Sequence, residues 1–396
     1  MGRLRRVVLA VSAVSAVGGV AVTGLFVAAE SSRAGTGSCT AAVGFEGPLT
    51  GQVSVLGMEQ LHFAQLAVSA ANAANGTSIS VVARDTQLLP SKARAVTQQF
   101  ISNGAIVAVA GPAGSLEVRA VGPLFASAGL AFISGSATNS TLIGGADTTF
   151  FRVVPSDDLQ GPGDAHYIIH VLHPRAVLLI DDKEPYSTGL ARSIIPQLRR
   201  AGIRVDRASV SQTQTRFGTL VRKVTPASGV VILPWKIAGR AQRLGAALER
   251  RHSKAVLFGT DGLFVPGTFT VPGSLVSSFA PDITAIPADR AIVNAARSRF
   301  GAFGTFAGPA YAATTVIANA IAAVCRTGQQ PTRANVLAAI RQTNEPTSIL
   351  GQPIPFSSHG ELAGAHYFLF KIDKAGRYRM LITRRGAPLA PSRDPG

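Results

Sequence analysis

The sequence predicts an α/β protein with two lobes, each built around a parallel β-sheet. Strand and helix patterns alternate from residue 41 to residue 133, and the same alternation starts again after Pro155. This alternation is typical of parallel strands that are joined by right-handed helical crossovers. The chain has 396 residues, of which 46% are hydrophobic and 15% charged, a globular composition with enough length for about two to three domains.

The first 38 residues have the pattern of an export signal. Three arginines within the first six residues precede an uncharged run, 7–29, and a small polar linker, 30–38. The small residues Val27 and Ala29 predict cleavage after Ala29. The run is also long enough to cross a bilayer, so an uncleaved membrane anchor and lipid attachment at Cys39 stay open as alternatives.

The first lobe is organised around residues 105–138. The apolar run 106–110 predicts a strand buried on both faces, Ser115 is predicted to cap a helix that runs to about Ala128, and a second strand follows at 130–133. Two loops, with sequences GPAGS and GSAT, follow the two strands. Because the carboxyl ends of parallel strands share one edge of a sheet, both loops are expected at the edge where open α/β sheets bind ligands.

These two loops carry the chemistry of a carboxylate site. Backbone N–H groups at a helix start lie beside the Ser115 hydroxyl, and the second loop adds the hydroxyls of Ser136 and Thr138. Aligned donors and the positive end of a helix dipole favour an anion at such a place. The alternative is that Ser115 is only a helix cap and the other residues are turn formers.

The other elements follow from the same periodicities. The first lobe is predicted to begin with strand 41–45, a GPLTG loop at 47–51, helix 58–75, strand 79–83 and helix 91–102, and to cross into the second lobe at 150–154. The second lobe is predicted to contain helices 165–172, 189–201, 217–224 and 238–251, and strands 176–180, 203–210, 230–233 and 255–258. A Pro- and Gly-rich stretch, 264–281, precedes helices 288–300, 309–326 and 332–342, a hairpin of 367–373 with 378–383, and a disordered tail, 384–396.

Charge and motifs exclude several function classes. The formal net charge of +17 would suit a polyanion, but the arginines are scattered, aromatic residues make up only 6%, and no nucleic-acid-binding motif occurs. We therefore expect no nucleic-acid partner. Two alternatives explain the positive charge: a basic surface that faces anionic lipid or wall polymer, or a simple compositional preference for arginine. Hydrolase, P-loop and zinc-protease motifs are absent, and His166 and His170 lack a third ligand in sequence, so no catalysis, cofactor or metal is expected.

The two cysteines leave two interpretations open. Cys39 and Cys325 are too far apart in sequence for a metal knuckle, and they are free to pair in an oxidising exterior. The alternative is one lipidated and one buried thiol.

Taken in order, the motifs resemble the type I periplasmic binding proteins, and among them the branched-chain amino-acid (Leu/Ile/Val) binding proteins of ABC importers. The similarity covers about residues 41–373. Its landmarks are GPLTG at Gly47, the strand end at Arg84 and Asp85, GPAGS at Gly111, GSAT at Gly135, FRVVPSDDLQGP at Phe151, DDKEPYSTGLA at Asp181 and FGTDG at Phe258.

The resemblance implies two Rossmann-like lobes that are joined by three crossover segments, near 153–157, 278–283 and 355–364. Lobe 1 would comprise 39–154 and 281–355, and lobe 2 would comprise 155–280 and 356–383. This arrangement places Cys39 and Cys325 in the same lobe, which favours their pairing as a disulfide.

The resemblance also implies roles for residues of the cleft. Ser115 and Thr138 match the positions that hold the α-carboxylate of a ligand, and Ser136 matches a backbone contact beside them. Asp261 matches an acidic residue that receives the α-ammonium, and Tyr186 matches a ring that covers the ligand. A lone carboxylate in a closing cleft complements an ammonium on chemical grounds alone, whereas the plain alternatives are an Asp-Gly turn and a loop aromatic.

Two departures from the family pattern bear on the ligand's side chain. Leu56 stands where an aromatic residue often lines the side-chain pocket, and Trp235 with Lys236 stands where relatives carry Gly and Tyr. A tryptophan wall would admit a different side chain, and Lys236 would favour an acidic one.

The resemblance therefore predicts an exported, non-enzymatic, monomeric solute-binding protein. It would capture an amino acid, or a related small amide or carboxylate, and deliver it to the membrane subunits of an ABC importer, with its N-terminal segment bringing it near the membrane. The alternative is an extracellular ligand-sensing domain of a signalling system with the same fold, which an uncleaved anchor would favour.

Overall fold

The computed structural model describes residues 39–142 and 149–381. The predicted export signal at 1–29, the linker at 30–38 and the tail at 384–396 lie outside the described residues. The described helices are α1 (Ser54–Asn75), α2 (Pro90–Ser102), α3 (Ser115–Ser127), α4 (Asp157–Tyr167), α5 (Pro185–Arg200), α6 (Gly218–Lys223), α7 (Ala238–Glu249), α8 (Arg290–Phe300), α9 (Ala307–Arg326) and α10 (Arg333–Arg341). The described strands are β1 (Thr40–Gly47), β2 (Ser78–Asp85), β3 (Ile106–Ala110), β4 (Ala131–Ser134), β5 (Phe150–Arg152), β6 (Ala176–Asp181), β7 (Arg204–Ser209), β8 (Ser228–Leu233), β9 (Val256–Gly259), β10 (Leu275–Ser278), β11 (Asn344–Glu345), β12 (Ile354–Pro355), β13 (Phe368–Ile372) and β14 (Tyr378–Met380).

Lobe 1 is a five-stranded parallel sheet between two layers of helices. The strand order is β2-β1-β3-β4-β5. Side chains of β3 alternate between the layers: Val107 packs in the cluster that holds α1 and α9, and Ile106 packs with α2 and α3. Every residue of β3 is buried for this reason, as the unbroken apolar run predicts.

The helix α9 is the central helix of lobe 1. It is long and apolar enough to match a membrane span by composition, but 72% of its most apolar window is buried inside the protein. Its amino end is held by Glu59 of α1, whose carboxylate accepts hydrogen bonds of 2.7 Å from the N–H groups of Gly304 and Ala307. This contact fixes the loop before α9, which contributes to the cleft described below.

Lobe 2 is a seven-stranded sheet of order β14-β13-β10-β9-β8-β6-β7. The strands from β7 to β10 are parallel, and the terminal hairpin of β13 and β14 adds to β10 in antiparallel register. Segments 153–156, 279–282 and 356–367 connect the two sheets. The α/β fold with parallel sheets that the sequence predicts is confirmed.

Several elements differ from the prediction: helices α1 and α5 each begin four residues earlier, and strands β11 and β12 were not predicted. Three further differences have a local physical reason. The helix predicted at 165–172 begins eight residues earlier, at Asp157, because Ser156 is extended and two acidic residues complement the helix dipole in the first turn, despite Pro162 inside the helix. Strand β10 lies inside the Pro- and Gly-rich stretch 264–281, where pairing on both sides outweighs its weak strand pattern. Ser115 is the first residue of α3 rather than its cap, because Gly114 precedes the helix and the Glu117 carboxylate accepts the Gly114 N–H at 2.9 Å.

Two covalent or ionic links tie distant parts of the chain together. Cys39, just before β1, and Cys325, near the end of α9, form a disulfide with a Cα–Cα distance of 5.8 Å. The guanidinium of Arg152 is fully buried and pairs with both carboxylate oxygens of Glu361 in the third connecting segment. It also donates to the carbonyls of Ala137 and Asn139, so it holds the loop that follows β4.

Candidate ligand-binding site

A cleft between the two lobes contains most of the predicted site residues. It holds about 410 Å³ of empty space that is partly open to solvent. The carboxyl ends of β3 and β4 face it from lobe 1, and the segments after β6, β8 and β9 face it from lobe 2. The cleft therefore lies where the topology of open α/β sheets places ligands.

The lobe 1 side presents one hydroxyl with a free proton. The Ser115 Oγ accepts the Asn139 N–H at 3.3 Å, which leaves its own proton available to a ligand. The Ser136 hydroxyl donates a hydrogen bond of 2.8 Å to the Ala113 carbonyl, which links the GSAT loop to the GPAGS loop. Of the donors predicted in the first loop, the Gly114 N–H is already taken by Glu117. Ser115 is thus the side chain best placed to bind an anionic group.

Glu117, which braces this loop, is a fully buried carboxyl group. Burial raises its pKa to about 7, against smaller lowering effects of hydrogen bonds and of Lys236. The loop is therefore held by a group that titrates near neutral pH.

The lobe 2 side presents a buried carboxylate. Asp261 is only 2% exposed, and its Oδ1 accepts a hydrogen bond of 3.0 Å from the Tyr186 hydroxyl. The same hydroxyl lies 2.6 Å from the Thr260 hydroxyl and accepts the Gly262 N–H at 3.1 Å. Burial raises the pKa of Asp261 to about 6, so the group is mainly ionised at pH 7.

The phenol of Tyr186 keeps its proton. Burial first, and the charge of Asp261 second, raise its pKa well above the usual value. The ring also lies 5.8 Å from the Lys236 Nζ, measured to the ring centre. Tyr186 therefore both orients Asp261 and covers one wall of the cleft.

The structure corrects the expectation for Trp235. Its side chain is fully buried, its indole N–H donates to the Ile180 carbonyl at 2.7 Å, and its ring packs against Phe217, so it belongs to the core of lobe 2. The next residue, Lys236, lines the cleft instead and pairs with Glu184 at 3.1 Å. Adjacent side chains point in opposite directions here, which is why the wall residue is the lysine.

Thr138 is also placed differently from the expectation. It is fully buried and does not line the cleft, and its hydroxyl has no hydrogen-bond partner within the described residues. It lies beside Asp157, whose N–H donates to the Thr138 carbonyl at 2.8 Å. Burial raises the pKa of Asp157 to about 8, with the nearby Thr138 hydroxyl as the main opposing effect. The Thr138 hydroxyl therefore lies near Asp157 and does not line the cleft.

The apolar wall of the cleft combines predicted and unpredicted residues. Leu56 of α1 lines it as expected, together with Leu88 and Phe306, which sequence reasoning missed. Leu88 has a left-handed backbone (φ 59°) and Phe306 sits in the loop that Glu59 holds, so long-range contacts determine both positions. Gln60, one turn after Leu56, adds a polar group at the floor.

The described residues hold no cluster of three or more His, Cys, Asp or Glu side chains that is arranged for a metal ion. His166 and His170 are neighbours, with ring centres 4.4 Å apart.

The sequence profile of the periplasmic binding protein family matches residues 40–377. The chain belongs to the periplasmic binding protein family. It is 25% identical over 349 residues to an amino acid binding protein of Pseudomonas aeruginosa, covering 86% of this chain and 92% of that one. It is 23% identical over 336 residues to the Leu/Ile/Val-binding protein of Escherichia coli K12, covering 82% and 88%.

Solved structures with this fold include proteins from two other bacteria. The leucine binding protein LivK of Thermotoga maritima superposes with a TM-score of 0.77 at 18% identity, covering 86% of this chain and 97% of that one. LivJ of Streptococcus pneumoniae, in complex with isoleucine, gives 0.76 at 21% identity, covering 86% and 99%. These matches confirm the type I periplasmic binding protein fold, and the family is one of proteins that work outside the cytoplasm.

Proposed function

We propose that this periplasmic binding protein holds an amino acid in the cleft and delivers it to the membrane subunits of an ABC importer. The observation that carries the proposal is the opposition of two groups across the cleft. Asp261, buried and held by Tyr186, faces from lobe 2, and the free proton of the Ser115 hydroxyl faces from lobe 1. A buried carboxylate complements an ammonium, and a hydroxyl at a helix start complements a carboxylate.

The apolar wall supports an aliphatic side chain on the ligand. Leu56, Leu88 and Phe306 line the cleft together with Val53 and Pro48. Lys236 is already neutralised by Glu184, so its charge does not call for an acidic ligand. The relatives named as Leu/Ile/Val-binding proteins and the isoleucine in the LivJ structure agree with this choice.

The two lobes contact each other next to the cleft, which supports capture by closure. The Asn139 side chain of lobe 1 donates to the Pro185 carbonyl of lobe 2 at 2.9 Å. We propose that ligand binding stabilises this contact and that the lobes separate when the ligand leaves. We also propose that the protein works as an exported monomer, either free or tethered by its N-terminal segment.

Calorimetric titrations with L-leucine and two analogues test the assignment of the charges. The analogues are 4-methylpentanoic acid, which lacks the ammonium, and isoamylamine, which lacks the carboxylate. Wild-type protein should bind leucine far more tightly than either one. The Asp261→Ala variant should bind leucine about as weakly as the wild-type protein binds 4-methylpentanoic acid, because the ammonium of leucine then has no counter-charge. The expected loss of binding free energy is about 2–5 kcal/mol.

A matched control is Asp206→Ala, which removes a half-exposed carboxylate from strand β7 of the same lobe. It should leave the affinity unchanged. Equal affinity of wild-type protein for leucine and 4-methylpentanoic acid would contradict the role of Asp261.

A further inference from the structure

Lobe 1 contains a second cavity that is separate from the cleft. It lies between the start of α8, the helix α9 and the ribbon of β11 and β12, and it holds about 640 Å³ of empty space that is partly open to solvent. All of its lining residues fall within 288–354, and none of them lines the cleft. Its occupancy therefore does not depend on contact between the lobes.

The wall of this cavity contains a buried acid without a partner. Asp289 is 5% exposed, and its Oδ2 has no hydrogen-bond partner among residues 39–142 and 149–381. It stands directly before α8, but its side chain does not cap that helix. Burial raises the pKa of Asp289 to about 6, so the group is mostly ionised at pH 7. A buried carboxylate with an unused oxygen is costly unless a counter-charge or donor reaches it.

The other walls of the cavity suit an organic cation. The ring of Tyr311 lies close enough to Asp289 for that charge to raise the pKa of the phenol, after the larger effect of burial. Glu345 adds a second, half-buried carboxylate, one oxygen of which accepts the Asn319 amide at 2.8 Å. The buried side chains of Ile349 and Ile354 form an apolar surface beside these groups.

We propose that this cavity binds an aliphatic ammonium or guanidinium group, with Asp289 as its counter-charge and the Tyr311 ring against its face. Carboxylates and an aromatic ring are the groups that recognise such cations, and the isoleucine surface accommodates the alkyl chain. A metal ion is disfavoured because the described residues place no third acidic or histidine ligand there. The proposal is independent of the amino-acid site in the cleft.

The test uses n-butylguanidine and its neutral isostere n-butylurea in calorimetric titrations of residues 39–396. Because Asp261 in the cleft also attracts cations, each titration is repeated in the Asp261→Ala background. Butylguanidine should bind with the same affinity in both backgrounds, and butylurea should not bind measurably. Asp289→Asn should weaken butylguanidine at least about tenfold, whereas Asp206→Asn, on lobe 2, should have no effect.

Two further variants keep the test valid if Asp289→Asn fails to fold, which a cooperative melting curve would show. Tyr311→Leu and Glu345→Gln should each weaken butylguanidine a few-fold, since each removes one wall of the cation site. No saturable binding to wild-type protein, equal binding of butylurea, or full affinity in the folded variants would overturn the proposal.

The guanidinium group has two sources, a free small molecule or an arginine side chain of a protein. N-acetyl-arginine N-methylamide represents the side chain. If it binds at least as tightly as butylguanidine, the site accepts an arginine of a partner protein. If only butylguanidine binds, the site is one for a free small cation. Either result supports the proposal that the cavity binds a cation.

Discussion

Closure of the lobes can be tested without altering any residue that lines the cleft. Gly189 lies inside α5 of lobe 2, directly against the loop of lobe 1. A Cβ atom at this position would lie 2.4 Å from the Asn139 Nδ2 and 2.8 Å from the Asp157 Oδ2. Asn139 belongs to lobe 1, so Gly189→Ala places a methyl group where the two lobes meet.

The expected cost follows from these distances. Asn139 must move by several tenths of an ångström or more, and in doing so it gives up its hydrogen bond to the Pro185 carbonyl. Overpacking of this kind costs about 1–3 kcal/mol. When the lobes separate the clash with Asn139 disappears, so the penalty falls on the ligand-bound state and weakens binding by about 5- to 150-fold. The Asp157 carboxylate belongs to lobe 2, so its close contact with the new methyl group remains when the lobes separate. Relieving that contact offsets the gain of about 0.5–1 kcal/mol that alanine has over glycine inside a helix, and a cooperative melting curve shows that the variant is folded.

The assay is calorimetric titration of the amino-acid ligand, combined with X-ray scattering to follow the radius of gyration with and without ligand. Gly239→Ala is the matched control, because it also lies in a helix of lobe 2 and a Cβ there would meet no atom within 4 Å. We expect Gly189→Ala to bind weakly and to remain expanded at ligand concentrations that compact the wild-type protein. An affinity within twofold of wild type would refute the closure argument.

Three further predictions concern other links in the structure. Reduction of the Cys39–Cys325 disulfide, whose cysteines are 286 residues apart, should lower the free energy of unfolding by about 2–5 kcal/mol in urea titrations, and an unchanged midpoint would contradict this. Arg152→Leu should cost roughly 2–4 kcal/mol in the same assay, somewhat less than a fully buried pair, since water still reaches Glu361. Acidification from pH 7 to pH 5 should weaken binding of a zwitterionic ligand about tenfold, because Asp261 becomes protonated. Burial raises the pKa of Asp261 to about 6. A flat pH profile of affinity would exclude Asp261 as the counter-charge.

The raised pKa of Asp261 also determines how this group's contribution to the free energy of unfolding changes with pH. Because the folded protein binds a proton at Asp261 more tightly than the unfolded chain does, the contribution of this group to stability is greatest below about pH 4. It is lost as the pH rises through about 6. The pH dependence of stability and that of ligand affinity should therefore run in opposite directions over this range.

Local pattern was sufficient for the elements that position the lobe 1 loops. The bounds of β3 are those predicted, because a short apolar run closed by Gly and Pro has one obvious structural interpretation. The convergence of loops at the carboxyl edge of a parallel sheet likewise follows from topology alone, and it brings Ser115 and Ser136 to the cleft together.

The direction of side chains and the contacts between residues far apart in the chain could not be predicted from the sequence. Trp235 and Lys236 are neighbours, and only the packing of Trp235 against Phe217 decides that the lysine faces the cleft. Phe306 reaches the cleft because Glu59, some 250 residues earlier in the chain, holds its loop. No local pattern around either residue carries that information.

The central claim is that the cleft binds a zwitterion between Asp261 and Ser115. Its most direct test is calorimetric titration of residues 39–396 with the common amino acids, after unfolding and refolding to remove any ligand carried through purification. We predict saturable binding of an aliphatic amino acid that Asp261→Ala weakens by about 2–5 kcal/mol. If the refolded protein is compact and melts cooperatively but binds no amino acid, the claim is contradicted, and the ligand of the cleft has to be sought among amides and carboxylates.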